Sequence, residues 1–273
     1  AEKYSAYSRC GIPYVLAGEI PNLEDLIVFS PSHYELMRID LRTETLAKSV
    51  DPKAKVVQIE DKDGKTENLS YDSLILATGA SPLLLPIKGR DLPRVFAIRT
   101  LDDAVSIRES MKDAKNAVII GGGFIGLETA HAFMEKGIHS TIAEMMPYIM
   151  PTMFDEDMAE LAKKKIEEKG VEMVLGTKVT EITGENEVTG IKAAEKDIPA
   201  DMVIMATGVR PNVDLAKAMG CELGVTRAIR VNLRMETSIP DVYAAGDCVE
   251  SRNIVTGQQC LIQLGTNAVR QGK

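Results

Sequence analysis

The chain has 273 residues, 45% of them hydrophobic, which is enough for two domains of ordinary size with cores of their own. Its formal net charge of −8, with lysines interleaved among glutamates, excludes a basic face that would follow a nucleic acid backbone. No apolar stretch approaches the roughly 20 residues of a membrane span, so we expect a cytoplasmic globular protein without a membrane anchor.

The first third of the chain predicts one short helix and then antiparallel strands. A helix is predicted over residues 11–18, because Pro13 stands in its first turn, where a missing N–H costs nothing. Short alternating strands are predicted over residues 35–69, with a turn at residues 61–64. They lead directly into the strand that ends in an Ala-Thr-Gly sequence.

One sequence pattern occurs twice in the chain. The stretch from Asp72 to Pro82 recurs from Asp201 to Pro211 as an aspartate, an apolar strand and then Ala-Thr-Gly. A strand that ends in a turn of small residues is typical of the sheet edge at which α/β proteins hold nucleotides. The repetition therefore predicts two nucleotide-binding domains.

The middle of the chain predicts a complete dinucleotide-binding domain. The predicted elements are helix 101–111, strand 117–120, helix 124–136, strand 141–144 and helix 155–169, followed by a strand and a meander. The second Ala-Thr-Gly ends this series. A later strand that ends in Gly246-Asp247 predicts a return of the chain to the first domain.

We therefore predict an α/β protein with two Rossmann-like, three-layer nucleotide-binding domains, each carrying a β-meander. The predicted limits are residues 1–98 for the first domain, 99–215 for the second, and 216–273 for the return segment. The first domain is expected to be incomplete, because no glycine loop precedes Asp72 and the chain resembles one that starts inside a domain.

The sequence Gly121-Gly-Gly123-Phe-Ile-Gly126 lies between a predicted strand and a predicted helix. In this setting Gly121 permits the tight turn, Gly123 lets the backbone approach a pyrophosphate, and Gly126 lets helix and strand pack closely. Glu144 follows the next strand, where it can accept hydrogen bonds from both ribose hydroxyls and would repel a 2′-phosphate. No arginine follows it closely, so the pattern predicts NADH rather than NADPH.

The four cysteines lie far apart and, without a histidine cluster, predict neither a disulfide framework nor a metal site. Cys10 differs from the others because it lies at the amino end of the first predicted helix. The helix dipole and unpaired N–H groups stabilise a thiolate there, and the adjacent Arg9 adds positive charge. Cys10 is therefore predicted as a nucleophile, and the alternative is an ordinary buried cysteine.

Together these motifs resemble the FAD-dependent pyridine nucleotide–disulfide oxidoreductases. The resemblance rests on Cys10-Gly-Ile-Pro-Tyr14, both Ala-Thr-Gly sequences, residues 121–128 and Tyr243-Ala-Ala-Gly-Asp247. The lone Cys10 resembles the single-cysteine branch, which contains NADH oxidase, NADH peroxidase, coenzyme A-disulfide reductase and persulfide reductase. Neither the family's amino-terminal FAD glycine loop nor its carboxyl-terminal dimerisation domain has a counterpart in this sequence.

The resemblance implies roles for individual residues. Cys10 would lie against the flavin and alternate between a thiolate and a mixed disulfide, a persulfide or a sulfenic acid. The implied FAD contacts are Thr78, Gly79, Gly246, Asp247, Gly265 and Thr266. The implied NAD contacts, beside the three glycines and Glu144, are the gate residue Phe124, Ile125, Glu128 near the carboxamide, and Gly208. The implied substrate contacts are Arg9 and Arg38, with a plain surface arginine as the alternative for Arg38 and a plain surface glutamate for Glu128.

The resemblance also implies an enzyme that passes electrons from NADH through FAD and Cys10 to a small disulfide, such as coenzyme A disulfide, or to a persulfide or polysulfide. One alternative is an NADH oxidase or peroxidase, in which Cys10 becomes a sulfenic acid and oxygen or peroxide is the acceptor. Another is a rubredoxin- or ferredoxin-type reductase, which has no use for Cys10. A different class is a truncated NAD-binding module without flavin. A homodimer is implied for the full-length form.

Overall fold

The computed structural model describes residues 2–194 and 196–273. Its helices are α1 (Ile12–Ala17), α2 (Pro31–Leu36), α3 (Leu101–Ser110), α4 (Phe124–Glu135), α5 (Glu156–Glu167), α6 (Asp214–Ala218) and α7 (Gly265–Gln271), with 3-10 turns at Arg9–Gly11 and Leu23–Leu26. Its strands are β1 (Leu46–Asp51), β2 (Val56–Glu60), β3 (Thr66–Ser70), β4 (Leu74–Leu76), β5 (Ala80–Pro82), β6 (Val95–Ala97), β7 (Asn116–Ile120), β8 (His139–Ala143), β9 (Glu172–Val174), β10 (Val179–Gly184), β11 (Val188–Ala193), β12 (Lys196–Pro199), β13 (Met202–Met205), β14 (Val209–Pro211), β15 (Val242–Ala244), β16 (Ser251–Arg252) and β17 (Gln259–Cys260). Among these described helices, none has the length and apolar character needed to cross a bilayer.

Packing divides the chain into two compact units. The first unit consists of the residues up to Ala6, Phe29–Ser81 and Arg210–Lys273, and the second consists of Tyr7–Val28 and Pro82–Val209. The predicted domain limits follow motifs whereas these units follow packing, and the two divisions differ most over Tyr7–Val28. That segment groups with the second unit because α1 packs on α3 and α4 and buries Ile12 and Leu16.

The second unit is built on a parallel five-stranded sheet in the order β6-β13-β7-β8-β9. The chain runs β7-α4-β8-α5-β9 toward one edge, and β13 lies on the other side of β7. The strand order therefore reverses between β13 and β7, which is the switch point of a doubly wound sheet. Every residue of β7 from Ala117 to Ile120 and every residue of β13 is buried, as expected for strands covered on both faces.

The core of the second unit lies between this sheet and the antiparallel meander β10-β11-β12. Val118 and Val203 from the sheet pack in one cluster with Ile182 and Ile191 from the meander. Burying each such side chain contributes roughly 1.5–3 kcal/mol relative to leaving it exposed. The sheet edge that carries the glycine motif is thus part of a well-packed body.

The first unit contains the antiparallel meander β1-β2-β3, the parallel pair β4-β15 and the hairpin β16-β17. Leu76 of β4 pairs with Ala244 of β15, and both are buried in one cluster with Ile229 and Cys248. Two parallel neighbours have their carboxyl ends at the same sheet edge, so the loops after β4 and β15 lie side by side.

The predicted α/β class and most predicted elements are confirmed. The helices at residues 11–18, 101–111, 124–136 and 155–169 agree with α1, α3, α4 and α5 to within two residues at each end. The turn predicted at residues 61–64 joins β2 to β3, and Gly64 adopts the left-handed φ of 79° that such a turn favours.

The prediction of strands from residue 35 is wrong for residues 35–45. Pro31 stands in the first turn of α2, where its ring presets the helical φ, and the helix continues to Leu36. Arg38 then has a left-handed φ of 57°, and the first strand begins only at Leu46. The spacing of apolar residues in this stretch therefore reflects a short helix and an irregular connection.

Candidate nucleotide-binding sites

Three loops meet at the carboxyl edge of the sheet in the second unit. The N–H of Gly121, after β7, donates to the carbonyl of Ala143 at 2.9 Å, and the N–H of Ala206, after β13, donates to the carbonyl of Ile120 at 2.8 Å. These bonds continue the ladders of neighbouring strands. The structure therefore brings the glycine motif together with Glu144 after β8 and with Gly208 after β13.

The three predicted glycines are required for two different reasons. Gly121 has a φ of 116°, and a Cβ there would collide with the carbonyl oxygen of Ala206. A Cβ on Gly126 would collide with the carbonyl oxygen of Gly121. A Cβ on Gly123, in contrast, would meet no described residue within 4 Å. On the present backbone Gly121 and Gly126 leave no room for a side chain, whereas the open space at Gly123 suits the close approach of a pyrophosphate.

Helix α4 begins directly at this loop, with Gly123 as its N-cap. Within the described residues no side chain caps it, and its first turn contains no acidic residue. The N–H groups of the first turn and the helix dipole therefore favour an anion at this position. Phe124 is 48% exposed at the start of the helix. Ile125 is half-buried, and its carbonyl accepts a hydrogen bond from the Thr129 hydroxyl.

Glu144 is half-buried and is held on both of its carboxylate oxygens. Oε2 accepts the N–H of Gly122 at 2.6 Å, and Oε1 accepts the N–H of Met146 at 2.8 Å. Each carboxylate oxygen has a second lone pair, so the group still has capacity for two ribose hydroxyls. The residues at this edge thus fit a dinucleotide with a free 2′-hydroxyl.

Two further residues implied for NAD lie beside this edge. Glu128 is half-buried in the second turn of α4, and burial raises the pKa of its carboxyl above the ordinary value of 4.5. Gly208 has a φ of 102°, and its carbonyl accepts the N–H of Leu83 at 2.9 Å. A half-buried carboxyl with a raised pKa beside a cofactor edge is typical of a functional group.

The residues implied for FAD come together in the first unit. Thr78 and Gly79 follow β4, and Gly246 and Asp247 follow β15, at one sheet edge where the N–H of Ala245 donates to the carbonyl of Leu76 at 3.0 Å. Helix α7 and the residues before it are anchored beside them: Gln271 Oε1 in α7 accepts the Gly246 N–H at 2.8 Å, and Gln263 Nε2 donates to the Asp247 carbonyl at 3.1 Å. Gly265 and Thr266 are exposed at the start of α7. The residues implied for FAD therefore lie beside one sheet edge of the first unit.

Cys10 lies in the 3-10 turn that precedes α1, and it is exposed. Cys221 and Cys248 are buried, so the alternative of a buried core cysteine applies to them and not to Cys10. Gly11 is buried, and a Cβ there would collide with the side chain of Leu26. A side chain at position 11 would therefore require the Leu26 side chain to move.

The two arginines implied as substrate contacts differ in their surroundings. The Arg9 guanidinium donates to the Tyr7 hydroxyl at 2.9 Å and to the Arg99 carbonyl at 2.7 Å, and it lies 4.9 Å from the Tyr7 ring centre. The Arg9 guanidinium is therefore held by contacts within the second unit. Arg38 is exposed in the first unit.

Gly122, Met146 and Met150 contribute to the dinucleotide edge, although the sequence pattern did not predict this. The backbone N–H of Met146 donates to the Glu144 carboxylate, and that of Met150 donates to the Gly122 carbonyl. Backbone groups carry no residue-type signature. Gly122, the middle glycine of the motif, was the one feature of the sequence that could have indicated this contribution.

Residues 1–272 match the family model described as pyridine nucleotide-disulphide oxidoreductase. An NADH oxidase of Methanocaldococcus jannaschii is 44% identical over 275 residues, a match that covers 100% of this chain and 61% of that protein. The chain therefore spans less than two thirds of the length of this relative.

Two solved structures are similar over nearly the whole chain. The NAD-dependent persulfide reductase from A. fulgidus has a TM-score of 0.97 and 38% identity, covering 100% of this chain and 52% of its own. An engineered water-forming NADPH oxidase, made from the NADH oxidase of Lactobacillus brevis and bound to NADPH, has a TM-score of 0.92 and 31% identity, covering 97% of this chain and 59% of its own.

Proposed function

The chain belongs to the pyridine nucleotide-disulphide oxidoreductase family, and on this basis we propose that it acts as an NADH-dependent flavoprotein that reduces a small disulfide, such as coenzyme A disulfide, or a persulfide or polysulfide. The observation that carries the proposal is an exposed cysteine, Cys10, in the same compact unit as a complete dinucleotide-binding edge. The persulfide reductase at a TM-score of 0.97 supports a sulfur substrate.

NADH is the proposed electron donor. The pyrophosphate would lie at the start of α4 beside Gly123, and the adenosine ribose would bind the Glu144 carboxylate. The NADPH-bound engineered oxidase supports this choice. In that protein an aspartate has become alanine and an alanine and a proline have become arginine, beside Gly→Ala and Met→Ser substitutions. Their relative spacing equals the spacing of Gly126, Glu144, Met145, Met146 and Pro151 in this chain.

FAD is the proposed second cofactor, and its binding site would be the edge in the first unit formed by Thr78, Gly79, Gly246 and Asp247. When bound, FAD would supply two-electron chemistry between a dihydronicotinamide and sulfur. The exposed start of α7 would direct N–H groups at the cofactor, as the family resemblance implies for Gly265 and Thr266.

Cys10 would act as the nucleophile toward the sulfur substrate. Its thiolate attacks one sulfur of the disulfide, a new bond forms between the two sulfurs, and the other half of the substrate leaves as a thiolate. Two electrons that originate from NADH, with a proton, then break the mixed disulfide, restore the thiolate and release the second thiol.

The first test is a visible spectrum of the purified full chain. We expect flavin absorbance at about 450 nm, and we expect NADH to bleach it under anaerobic conditions. A protein without this absorbance that still binds NADH would instead be an NAD-binding module, and the enzyme proposal would be wrong.

The second test uses Cys10→Ser, with Cys260→Ser as the matched control. Cys260 lies in the first unit, its thiol donates to the Ser251 carbonyl, and it is none of the proposed site residues. We expect Cys10→Ser to lose reduction of coenzyme A disulfide by at least roughly a thousandfold while flavin reduction by NADH persists. Cys260→Ser should retain both activities. Retained turnover with a ferredoxin or rubredoxin in Cys10→Ser would favour an electron-transfer reductase.

An NADH oxidase is the second candidate, because the relative at 44% identity carries that name. Cys10 would then be oxidised by peroxide to a sulfenic acid, with water as the reduced product. Stopped-flow reoxidation of the NADH-reduced protein separates the two candidates. Reoxidation at a useful rate by oxygen or peroxide, and not by coenzyme A disulfide or a persulfide, would replace the disulfide assignment with this one.

A further inference from the structure

Gly122, the middle glycine of the motif, is bonded through both of its backbone groups to the loop that follows β8. Its N–H donates to the Glu144 carboxylate at 2.6 Å, and its carbonyl accepts the N–H of Met150 at 3.0 Å. Gly122 is also buried. The orientation of the peptide groups on either side of Gly122 therefore depends on this loop.

Met150 reaches the Gly122 carbonyl with its backbone in the left-handed region, at a φ of 54°. Such a φ is uncommon for a residue other than glycine and carries a cost. The side chain of Met150 is buried in a cluster with Ile149 and Ala159, and its carbonyl accepts the N–H groups of Met153 and Phe154. Packing and hydrogen bonds around Met150 thus maintain the strained conformation.

The loop is fixed beyond Glu144 as well. Gly176 donates its N–H to the carbonyl of Met146 at 2.8 Å, and Thr177 donates its N–H to the carbonyl of Glu144 at 3.0 Å. Met146 in turn donates to Oε1 of Glu144. One carboxylate oxygen is therefore oriented from within the loop, and the other depends on Gly122 and, through it, on Met150.

We propose that Met150 is a positioning residue for the dinucleotide site, which holds Gly122 so that the Glu144 carboxylate is oriented to accept the ribose hydroxyls of NADH and to exclude NADPH. This inference rests on the proposed function, since it deepens the account of NADH selection. Met150 acts through the Gly122 peptide rather than by contact with the cofactor. The neighbouring Pro151 matches in spacing the proline that is arginine in the NADPH-bound engineered oxidase, which supports a role for this segment in cofactor choice.

The test compares Met150→Ile with Met150→Leu in the full chain. The two side chains are isomers of equal hydrophobicity, but branching at Cβ makes a positive φ much more costly for isoleucine. The dissociation constants of NADH and NADPH are measured by titration calorimetry, and the melting temperature is measured without ligand. We expect Met150→Ile to raise the dissociation constant of NADH about fivefold or more, because part of the backbone strain must be restored on binding. The preference for NADH, expressed as the NADPH dissociation constant divided by that of NADH, should become smaller. Met150→Leu should keep the NADH dissociation constant of the parent chain and its preference for NADH over NADPH.

The inference would be overturned if Met150→Ile lowered the melting temperature but left the preference for NADH over NADPH unchanged, because Met150 would then have a structural role alone. A parent chain that binds neither dinucleotide would overturn the proposed function as well, so the two failures are distinguishable. If Met150→Ile does not fold, amide hydrogen exchange in the parent chain decides the question. We expect the Met150 N–H to be protected with and without NADH, and fast exchange of this amide would contradict the inference.

Discussion

The two Ala-Thr-Gly turns, residues 77–79 and 206–208, share two hydrogen bonds. In the first unit the Thr78 hydroxyl donates to the carbonyl of Asn212, and the Asn212 N–H donates to the carbonyl of Gly79 at 2.9 Å. In the second unit the Thr207 hydroxyl donates to the carbonyl of Leu83, and the Leu83 N–H donates to the carbonyl of Gly208 at 2.9 Å. In each case the bonded residue directly follows the proline of the other copy.

The surroundings of the two turns differ. The second turn lies beside a glycine motif at the start of a 12-residue helix and beside the Glu144 carboxylate. The first turn lies beside Gly246 and Asp247 at the end of β15. The repeated pattern therefore accompanies the same path of the chain out of a strand, whereas the neighbouring strands place different groups beside the two turns.

The largest expected effect separates the glycines of the second edge by role. Gly121→Ala should destabilise the protein by on the order of 3 kcal/mol, because a Cβ there meets the Ala206 carbonyl and the φ of 116° is unfavourable. Gly123→Ala should leave stability nearly unchanged and weaken NADH binding roughly tenfold or more, because its Cβ would fill the space left for the pyrophosphate. Urea unfolding and NADH titration measure the two quantities.

A matched glycine in the first unit serves as the control for this prediction. Gly246 has a φ of 84°, and a Cβ there would meet only the Cβ of Ala268, at 3.6 Å, among the described residues. Gly246→Ala should therefore cost about 1–2 kcal/mol, the penalty of the left-handed backbone alone. Equal losses for Gly121→Ala and Gly246→Ala would contradict the steric argument.

The next effect tests whether the two threonines have equivalent roles. Thr78→Val and Thr207→Val each remove a hydrogen bond to a backbone carbonyl and should each cost about 1–2 kcal/mol of stability. Only Thr207→Val should weaken NADH binding, because only its turn adjoins Gly208 at the dinucleotide edge. A loss of NADH affinity in Thr78→Val as large as that in Thr207→Val would show that the two edges do not act separately.

The smallest effect concerns Glu128 and pH. Burial raises the pKa of this carboxyl, so the folded state holds the proton more tightly than the unfolded state does. Stability therefore falls as the pH rises above the ordinary value of 4.5 for this group. Glu128→Gln should give a small increase in melting temperature at pH 7 that disappears near pH 4. A difference that does not change between these two pH values would contradict burial as the cause.

The sequence by itself determined the features that depend on near neighbours in the chain. The apolar strands, the helix starts and the need for Gly121, Gly123 and Gly126 follow from local patterns, and Glu144 follows from its position at a strand end. The same local reasoning was wrong for residues 35–45, where apolar spacing suggested strands and Pro31 begins a helix.

Only the tertiary structure decided where backbone groups find their partners. The left-handed φ of Met150, its bond to Gly122, and the packing of Tyr7–Val28 with the second unit depend on segments far apart in sequence. Every residue other than proline carries the same N–H and C=O groups, so the side-chain pattern does not show which of them will meet. Those contacts exist only once the sheet and its helices have brought distant parts of the chain together.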